Sequence, residues 1–427
     1  MENNTNNRRR GKSRLVIILT LVTTIVLSFS CGYFFHYLIN GKTANRTNQI
    51  VKIMENAGYI YDPVTGERRD ITEEDIADAL VNAFLDEYSA YYTAEEYKAV
   101  ISESKGARSG IGVVFHTTAP VITKVIGNSP AYKAGIRKGD KVLKVIYGEE
   151  EKTVNVPSDI SVVFNGDYNQ EITFLVERNG EQREFSFTPV SYKATYVLYY
   201  DNERGMALEG EQDLLERKIR VEDAITSLPS DTALIVLHGF EADCAKQLED
   251  ALSFMKENGK SKLILDLRYN GGGYMDVLQD VCSLLIYNQG KSNYPIAYAQ
   301  GKKTNQVFKV GRNRFVDFLQ STVVIANEHS ASATECLIGA MLHYGDTLNV
   351  NRLVIEKNSE GVAKTYGKGI MQTTYEVIGG GAFKLTTAQI LWPDNQTCIH
   401  KKGIFTSEQN SVSPEKTLQR AIETLAE

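Results

Sequence analysis

Two short segments of this 427-residue chain hold residue types that could break a bond. The first is Ser330-Ala331-Ser332-Ala333-Thr334-Glu335, where small residues around a serine let another backbone approach closely. The second is Gly367-Lys368-Gly369-Ile370-Met371-Gln372, a lysine between two glycines. Gln372 follows Lys368 by four residues, so it faces the same side of a helix or of a strand. Serine as nucleophile, lysine as base and a third group orienting the base is a variant of triad logic. A lysine near its ordinary pKa of about 10.4 is mostly protonated at neutral pH, so Lys368 can be a base only if it is desolvated. The chain has six histidines, none in a familiar local pairing with a serine. Taken alone, the two segments equally fit a tight helix start and a solvated surface lysine.

The surrounding pattern supplies elements that would position these residues. Residues 263–267, Leu-Ile-Leu-Asp-Leu, read as a buried strand running into Arg268-Tyr269-Asn270-Gly271-Gly272-Gly273. A strand at 234–237 and an amphipathic helix at 242–258 precede it, and this β-α-β rhythm predicts an α/β core with parallel strands. A strand at 323–326 leads to Ser332, and 333–342 reads as the helix that follows. A serine at such a turn is exposed, and the helix N-terminus favours developing negative charge. The N–H of Ala333 and one from Gly271, Gly272 or Gly273 are candidate oxyanion donors, because glycine permits close backbone approach.

Together with Ser129-Pro130-Ala131 and Gly139-Asp140 upstream, these motifs resemble the carboxyl-terminal processing peptidases, serine peptidases with a Ser-Lys site and an embedded PDZ domain. The resemblance covers nearly everything after the N-terminal stretch. It implies Ser332 as nucleophile, with Ser330 as the fallback, Lys368 as base and Gln372 holding the amine by its side-chain carbonyl. It implies no metal and no organic cofactor. Residues 106–192 are read as the PDZ domain, with Gly110, Ile111, Gly112 and Val113 offering backbone N–H groups to a peptide carboxylate and a sheet edge to its strand. A short helix from Ser129, the strand 141–147 and a hairpin turning at Asn179-Gly180 complete it; a small β-domain that binds no peptide is the other reading. Departures from the family pattern are Gly271 for a proline, Thr334 for a serine, His343 where some members are acidic, a longer 351–365 segment and Phe405 after Lys402-Gly403-Ile404.

Thr72 caps a helix beginning in Ile71-Thr72-Glu73-Glu74-Asp75, and a second helix follows from Ala94. The Asp86-Glu87-Tyr88-Ser89 stretch between them is read as structural, since the corresponding family region helps to pack a homodimer. Residues 193–230 match less well and read as a connector or an extra strand and helix.

The N-terminus differs in kind. Residues 1–14 hold five positive charges and one negative, and residues 15–40 hold none. Twenty-six uncharged residues exceed the roughly 20 needed to span a bilayer. The basic cluster stays cytoplasmic, which places the rest outside the cell membrane. A cleaved signal peptide is the alternative. With the whole chain at −6 and residues 1–14 at +4, the remainder is −10, which argues against nucleic acid as a partner. The five cysteines are scattered, without zinc spacing, and read as small buried hydrophobes.

The expected architecture is thus a mixed α/β and α+β multidomain chain: a cytoplasmic segment 1–14, a transmembrane signal-anchor 15–40, a helical region 47–105, a PDZ-like domain 106–192 and an α/β Ser-Lys peptidase core 193–427. The expected activity is endopeptidase cleavage of protein or peptide substrates held by a free C-terminus. A catalytically inactive tail-binding scaffold is the alternative.

Overall fold

The computed structural model describes residues 49–53, 60–61, 68–105, 107–116, 119–157, 159–160, 170–208, 225–286, 293–310, 318–345, 352–378 and 380–427. The expected anchor, 15–40, lies outside the described residues, and among the described residues no helix is long and apolar enough to cross a membrane. The chain divides into two compact units between Leu85 and Asp86. In the first, helix Glu73–Phe84 starts as its sequence predicts: Thr72 Oγ1 accepts the Asp75 N–H, and Asp75 accepts the Thr72 N–H. Such a capping box is worth about 1 kcal/mol. A strand pair, Ile60–Tyr61 with Arg68–Arg69, precedes it.

The second unit is built on the predicted β-α-β rhythm. Strands Thr232–Leu237, Lys262–Asp266, Ser321–Ala326, Leu353–Glu356 and Ser411–Val412 run parallel in that order. Val197–Tyr200 and Gly205–Leu208, from the poorly matching connector, extend the sheet antiparallel at the Thr232–Leu237 edge. The central strands are apolar runs without alternation because both faces are covered. Leu263, Leu265 and Val324 pack with helices Cys244–Glu257, Met275–Leu285 and Ala333–Tyr344, whereas Ile264, Val323 and Ile325 pack with Ala421 and Leu425 of helix Thr417–Ala426. Each fully buried aliphatic side chain stabilises by roughly 1.5–3 kcal/mol.

A second, antiparallel sheet has no counterpart in the sequence reading. It orders Asn305–Lys309, Pro295–Gln300, Ala382–Leu391 and Ile370–Glu376, the last at its edge. Ala90–Tyr92 pairs with Ala382–Lys384. That triplet, in a stretch read as helical, is therefore a strand, and it belongs to the same sheet as the lysine segment. Helix Ala94–Ser104 follows it as expected.

Between Ala90–Tyr92 and the parallel sheet lies the β-rich module. Glu181–Phe187, Ile172–Arg178, Lys141–Tyr147 and Glu150–Thr153 form an antiparallel sheet, with positive φ of 55° and 80° at Asn179 and Gly180 turning its hairpin. Helix Pro130–Ala134 is capped by the Ser129 hydroxyl, which accepts the Tyr132 N–H at 3.1 Å. Buried Asp140 accepts two bonds from the Arg178 guanidinium and one from the Arg137 N–H, so Gly139-Asp140 fixes the turn into the next strand. The module touches the parallel sheet where Lys124 Nζ donates to the His238 carbonyl at 2.7 Å.

Candidate active site

Ser332 stands between strand Ser321–Ala326 and helix Ala333–Tyr344, at φ 59° and ψ −118°. An L side chain rarely adopts positive φ, and such strain persists only where neighbours impose it. Glu335, one turn along the helix, is the principal neighbour. Its carboxylate accepts the N–H of Ser332 at 3.0 Å, of Gly367 at 2.8 Å and of Lys368 at 2.9 Å, and the Thr365 hydroxyl at 2.5 Å. One fully buried carboxylate thus ties the serine turn to the lysine segment. Burial is the largest influence on it and holds the Glu335 carboxyl above its ordinary pKa, against four hydrogen bonds that favour the charge.

The glycine loop presses on the serine from the other side. Gly272 sits at φ 100°, and a Cβ there would lie 2.8 Å from both the Ala331 carbonyl oxygen and Ser332 Cβ. Its N–H is given to Asn270 Oδ1 at 3.0 Å. That bond occupies the Gly272 N–H, whereas Gly271, Gly273 and Ala333 are the other candidate donors. Asn270 is itself buried and donates to the Leu237 carbonyl, while its own carbonyl accepts the Ala331 N–H and the Thr334 hydroxyl. Thr334 therefore makes the bond that a serine there could make. Ser330 is fully buried, its hydroxyl donating to the Leu267 carbonyl at 2.9 Å and accepting the Asn327 N–H at 3.0 Å.

Ser332, Lys368, Gln372, Gly271 and Gly273 line one cleft of about 680 Å³. Met275, Phe308, Cys336, Met371 and Ile390 give it an apolar wall, and no histidine among the described residues lines it. Lys368 is half-buried, and desolvation lowers its pKa; the charge of Lys384 acts in the same direction and that of Asp86 opposes it. Among the described residues its ammonium makes no hydrogen bond to Ser332 or Gln372; it lies 4.5 Å from the Tyr88 ring centroid. Gln372 Nε2 donates to Thr386 Oγ1 at 3.0 Å, so the carbonyl oxygen is what its amide can offer an amine.

The four predicted tail-binding residues form one turn in the β-module. Gly110 ends strand Ala107–Gly110, and Val113 begins Val113–Phe115. The Ile111 and Gly112 carbonyls accept the Ala131 and Ile126 N–H groups, which fixes the turn against the short helix and the neighbouring strand. Gly112, at φ 78°, is also a packing glycine: a Cβ there would lie 2.1 Å from Ser129 Cβ. Cys244, Cys282 and Cys336 are buried thiols, Cys398 is half-buried, and no disulfide joins described residues. No metal-binding cluster occurs among the described residues.

Glu335 and the turn Asp86–Ser89 escaped the sequence reading as contributors to the site. Glu335 had an available signal, since serine followed three residues later by glutamate is a capping-box pattern. Asp86, Tyr88 and Ser89 had none, because they reach the lysine segment from about 280 positions away.

A parallel sheet presenting a strained serine at a helix start, beside a half-buried lysine and with a small β-rich module in the chain before it, is the build of a serine-type peptidase. Residues 231–407 match the model of peptidase family S41, and residues 108–188 match the PDZ domain model. A probable CtpA-like serine protease of Staphylococcus aureus (strain bovine RF122 / ET3-1) is 27% identical over 400 residues, covering 91% of this chain and 70% of that protein. A namesake in Staphylococcus saprophyticus is 24% identical over 406 residues, covering 93% and 73%. Among solved structures, a photosystem II D1 C-terminal processing protease is 18% identical with a TM-score of 0.49, covering 89% of this chain and 96% of that one. These matches make the chain a serine-type peptidase with a family S41 domain after a PDZ domain, similar to the carboxyl-terminal processing peptidases.

Proposed function

We propose that this peptidase is anchored in the cell membrane by residues 15–40, works outside it, and cuts protein chains whose free C-terminal tails its PDZ domain holds. Ser332 is the nucleophile and Lys368 the base. The observation that carries this reading is the shared cleft of Ser332, Lys368 and Gln372, with Glu335 binding the serine and lysine backbones together. Neutral Lys368 takes the proton of the Ser332 hydroxyl as the oxygen attacks the peptide carbonyl. Its lowered pKa raises the neutral fraction at a given pH. The Ala333 N–H and that of Gly271 or Gly273 receive the developing oxyanion. Protonated Lys368 then returns the proton to the leaving amine, and water attacks the acyl-serine by the same route in reverse. The Gln372 carbonyl holds the amine through these transfers.

The unpaired side of edge strand Ile370–Glu376 lines the cleft through residues 370–374, so an extended substrate can add to it as a further strand. The apolar wall suits an apolar side chain next to the cut. The Ser330 hydroxyl, buried and committed to two backbone groups, supports Ser332 rather than Ser330. The test is cleavage of an unfolded protein by the full chain in detergent. Ser332→Ala should abolish it and Ser330→Ala should not reproduce that loss with the fold intact. For topology, protease added to intact cells should degrade the domains after residue 40; their protection would refute the assigned side.

A further inference from the structure

The Asp86-Glu87-Tyr88-Ser89 stretch, read from sequence as structural packing, reaches the lysine. Ala90–Tyr92 enters the antiparallel sheet beside Ala382–Lys384, and this delivers the preceding turn to the cleft. The turn is knit by Asp86, whose Oδ1 accepts the Ser89 hydroxyl at 2.8 Å and the Tyr88 N–H at 3.2 Å. It is fastened to the sheet at Thr386. The Thr386 N–H donates to Ser89 Oγ at 3.2 Å, and the Thr386 hydroxyl, which also bonds Asp86, accepts from Gln372 Nε2 at 3.0 Å. Tyr88 then lays its ring 4.5 Å from Lys368 Nζ and bonds the hydroxyl of Tyr366, two residues before that lysine, at 3.2 Å.

We propose that Tyr88 is a positioning residue of the catalytic machinery: its ring face seats the Lys368 amine, and the Asp86–Ser89 turn fixes that seat against Thr386, the residue that also orients Gln372. This rests on the serine–lysine reading above. The physical basis is the attraction between a cation and the negative face of an aromatic ring, which acts on the protonated amine and weakens when the proton leaves. The ring also covers the amine from water, and that favours the neutral form. The charged groups that act on the amine are Lys384 from strand Ala382–Leu391 and Asp86 from the same turn as Tyr88; Glu87 and Tyr366 act on the Tyr88 phenol, and Glu335 from the serine helix holds the Lys368 backbone. Burial leads the influences that raise the Tyr88 phenol well above its ordinary pKa, so the ring stays neutral throughout the working range.

The test is the pH–rate profile for cleavage of an unfolded protein by the full-length chain in detergent, with thermal unfolding run in parallel. Tyr88→Phe keeps the ring and should leave the alkaline limb in place with kcat within about threefold, having lost one hydroxyl contact. Tyr88→Leu keeps the apolar cover but not the ring face. Its limb should move to lower pH by roughly 0.4–1.5 units, the usual cation–π strength expressed as a pKa shift, and its kcat should fall about tenfold or more as the amine loses its seat. A merely structural role would lower the unfolding temperature without moving the limb. Should Tyr88→Leu fold poorly, Tyr88→Met carries the same expectation. An unmoved limb in the folded Leu or Met variant, or a Phe variant as impaired as Leu, overturns the proposal. Lys368→Ala separates the two ideas: if it retains activity the serine–lysine reading fails, and if it is dead while Tyr88→Leu matches wild type, only the role of Tyr88 falls.

Discussion

Glu335→Ala should cost more than any other single change at the site that spares Ser332 and Lys368. The carboxylate is fully buried and accepts four donors, three of them backbone N–H groups that cannot turn elsewhere. At about 1 kcal/mol for each bond lost, the sum is about 4 kcal/mol, within the roughly 3–5 kcal/mol expected when one partner of a buried charged cluster is deleted. A domain is stable by only about 5–15 kcal/mol, so the loss should be plain in urea unfolding of the full chain. Glu335→Gln refines the test. Oε2 serves Ser332 and Lys368 while Oε1 serves Gly367 and Thr365, so an amide leaves one pair of donors facing its NH2 whichever way it is flipped. We expect a loss of about 2–3 kcal/mol and a fall in kcat of about a hundredfold, since the strained Ser332 turn and Lys368 lose their common anchor. The linkage has a definite sign. The folded pKa of Glu335 is raised, so its contribution to stability is full below the unfolded value of about 4.3 and declines as pH rises through the folded one. The Gln variant should lack that decline. An Ala variant within about 1 kcal/mol of wild type, with activity intact, would refute the claim that this carboxylate joins the two segments.

Four further outcomes are expected. Ser332→Ala and Lys368→Ala should each abolish cleavage of unfolded protein to a similar extent, being parts of one unit, while Gln372→Ala reduces it; retained activity in Lys368→Ala would reject lysine as base. The wild-type rate should rise with pH through an apparent pKa below the ~10.4 of free lysine, and Lys384→Gln should move that limb to higher pH, because the Lys384 charge helps to depress Lys368. Gly272→Ala should cut kcat far more than it lowers thermal stability, because its Cβ meets Ser332 and a positive φ is strained for alanine; equal losses by both measures would count against it. Gly112→Leu should weaken binding of a free-carboxylate peptide in titration calorimetry, through the collision with Ser129 as well as through the lost backbone approach; unchanged affinity would move the tail site elsewhere.

What could be read from the sequence was what is local. The strand 263–267, the helix after Ser332, the hairpin at Asn179-Gly180 and the Thr72 cap each rest on periodicity or on capping chemistry within a few residues, and each stands in the fold. The parallel order followed from helices alternating with strands. The antiparallel sheet was not legible, because its members 90–92, 295–309 and 370–391 are far apart in sequence and none carries a tight hairpin signal to the next. For the same reason the 86–92 segment read as part of a helical region. Its three strand residues are decided by pairing with Ala382–Lys384, a tertiary influence that overrides local pattern.

The site combines strain with buried polar restraint, and the two imply each other. Positive φ at Ser332 and at Tyr269, 59° and 61°, is unfavourable for residues with a Cβ, and both stand beside the glycine loop that lines the cleft. Each is held from behind by a buried polar side chain: Glu335 takes the Ser332 N–H, and Asn327 takes the N–H groups of Tyr269 and His329. Asn270 joins the two turns, its backbone carbonyl accepting from Ala331 and Thr334 and its side chain from Gly272. None of these three residues needs to touch substrate to matter. Together they set where the Ser332 oxygen and the proposed oxyanion donors stand, and a polar group buried beneath a strained turn has little use except to fix that position. The residues proposed for the chemistry can therefore be named by type and spacing, whereas those that would make it geometrically competent are found only by asking where each buried hydrogen bond goes.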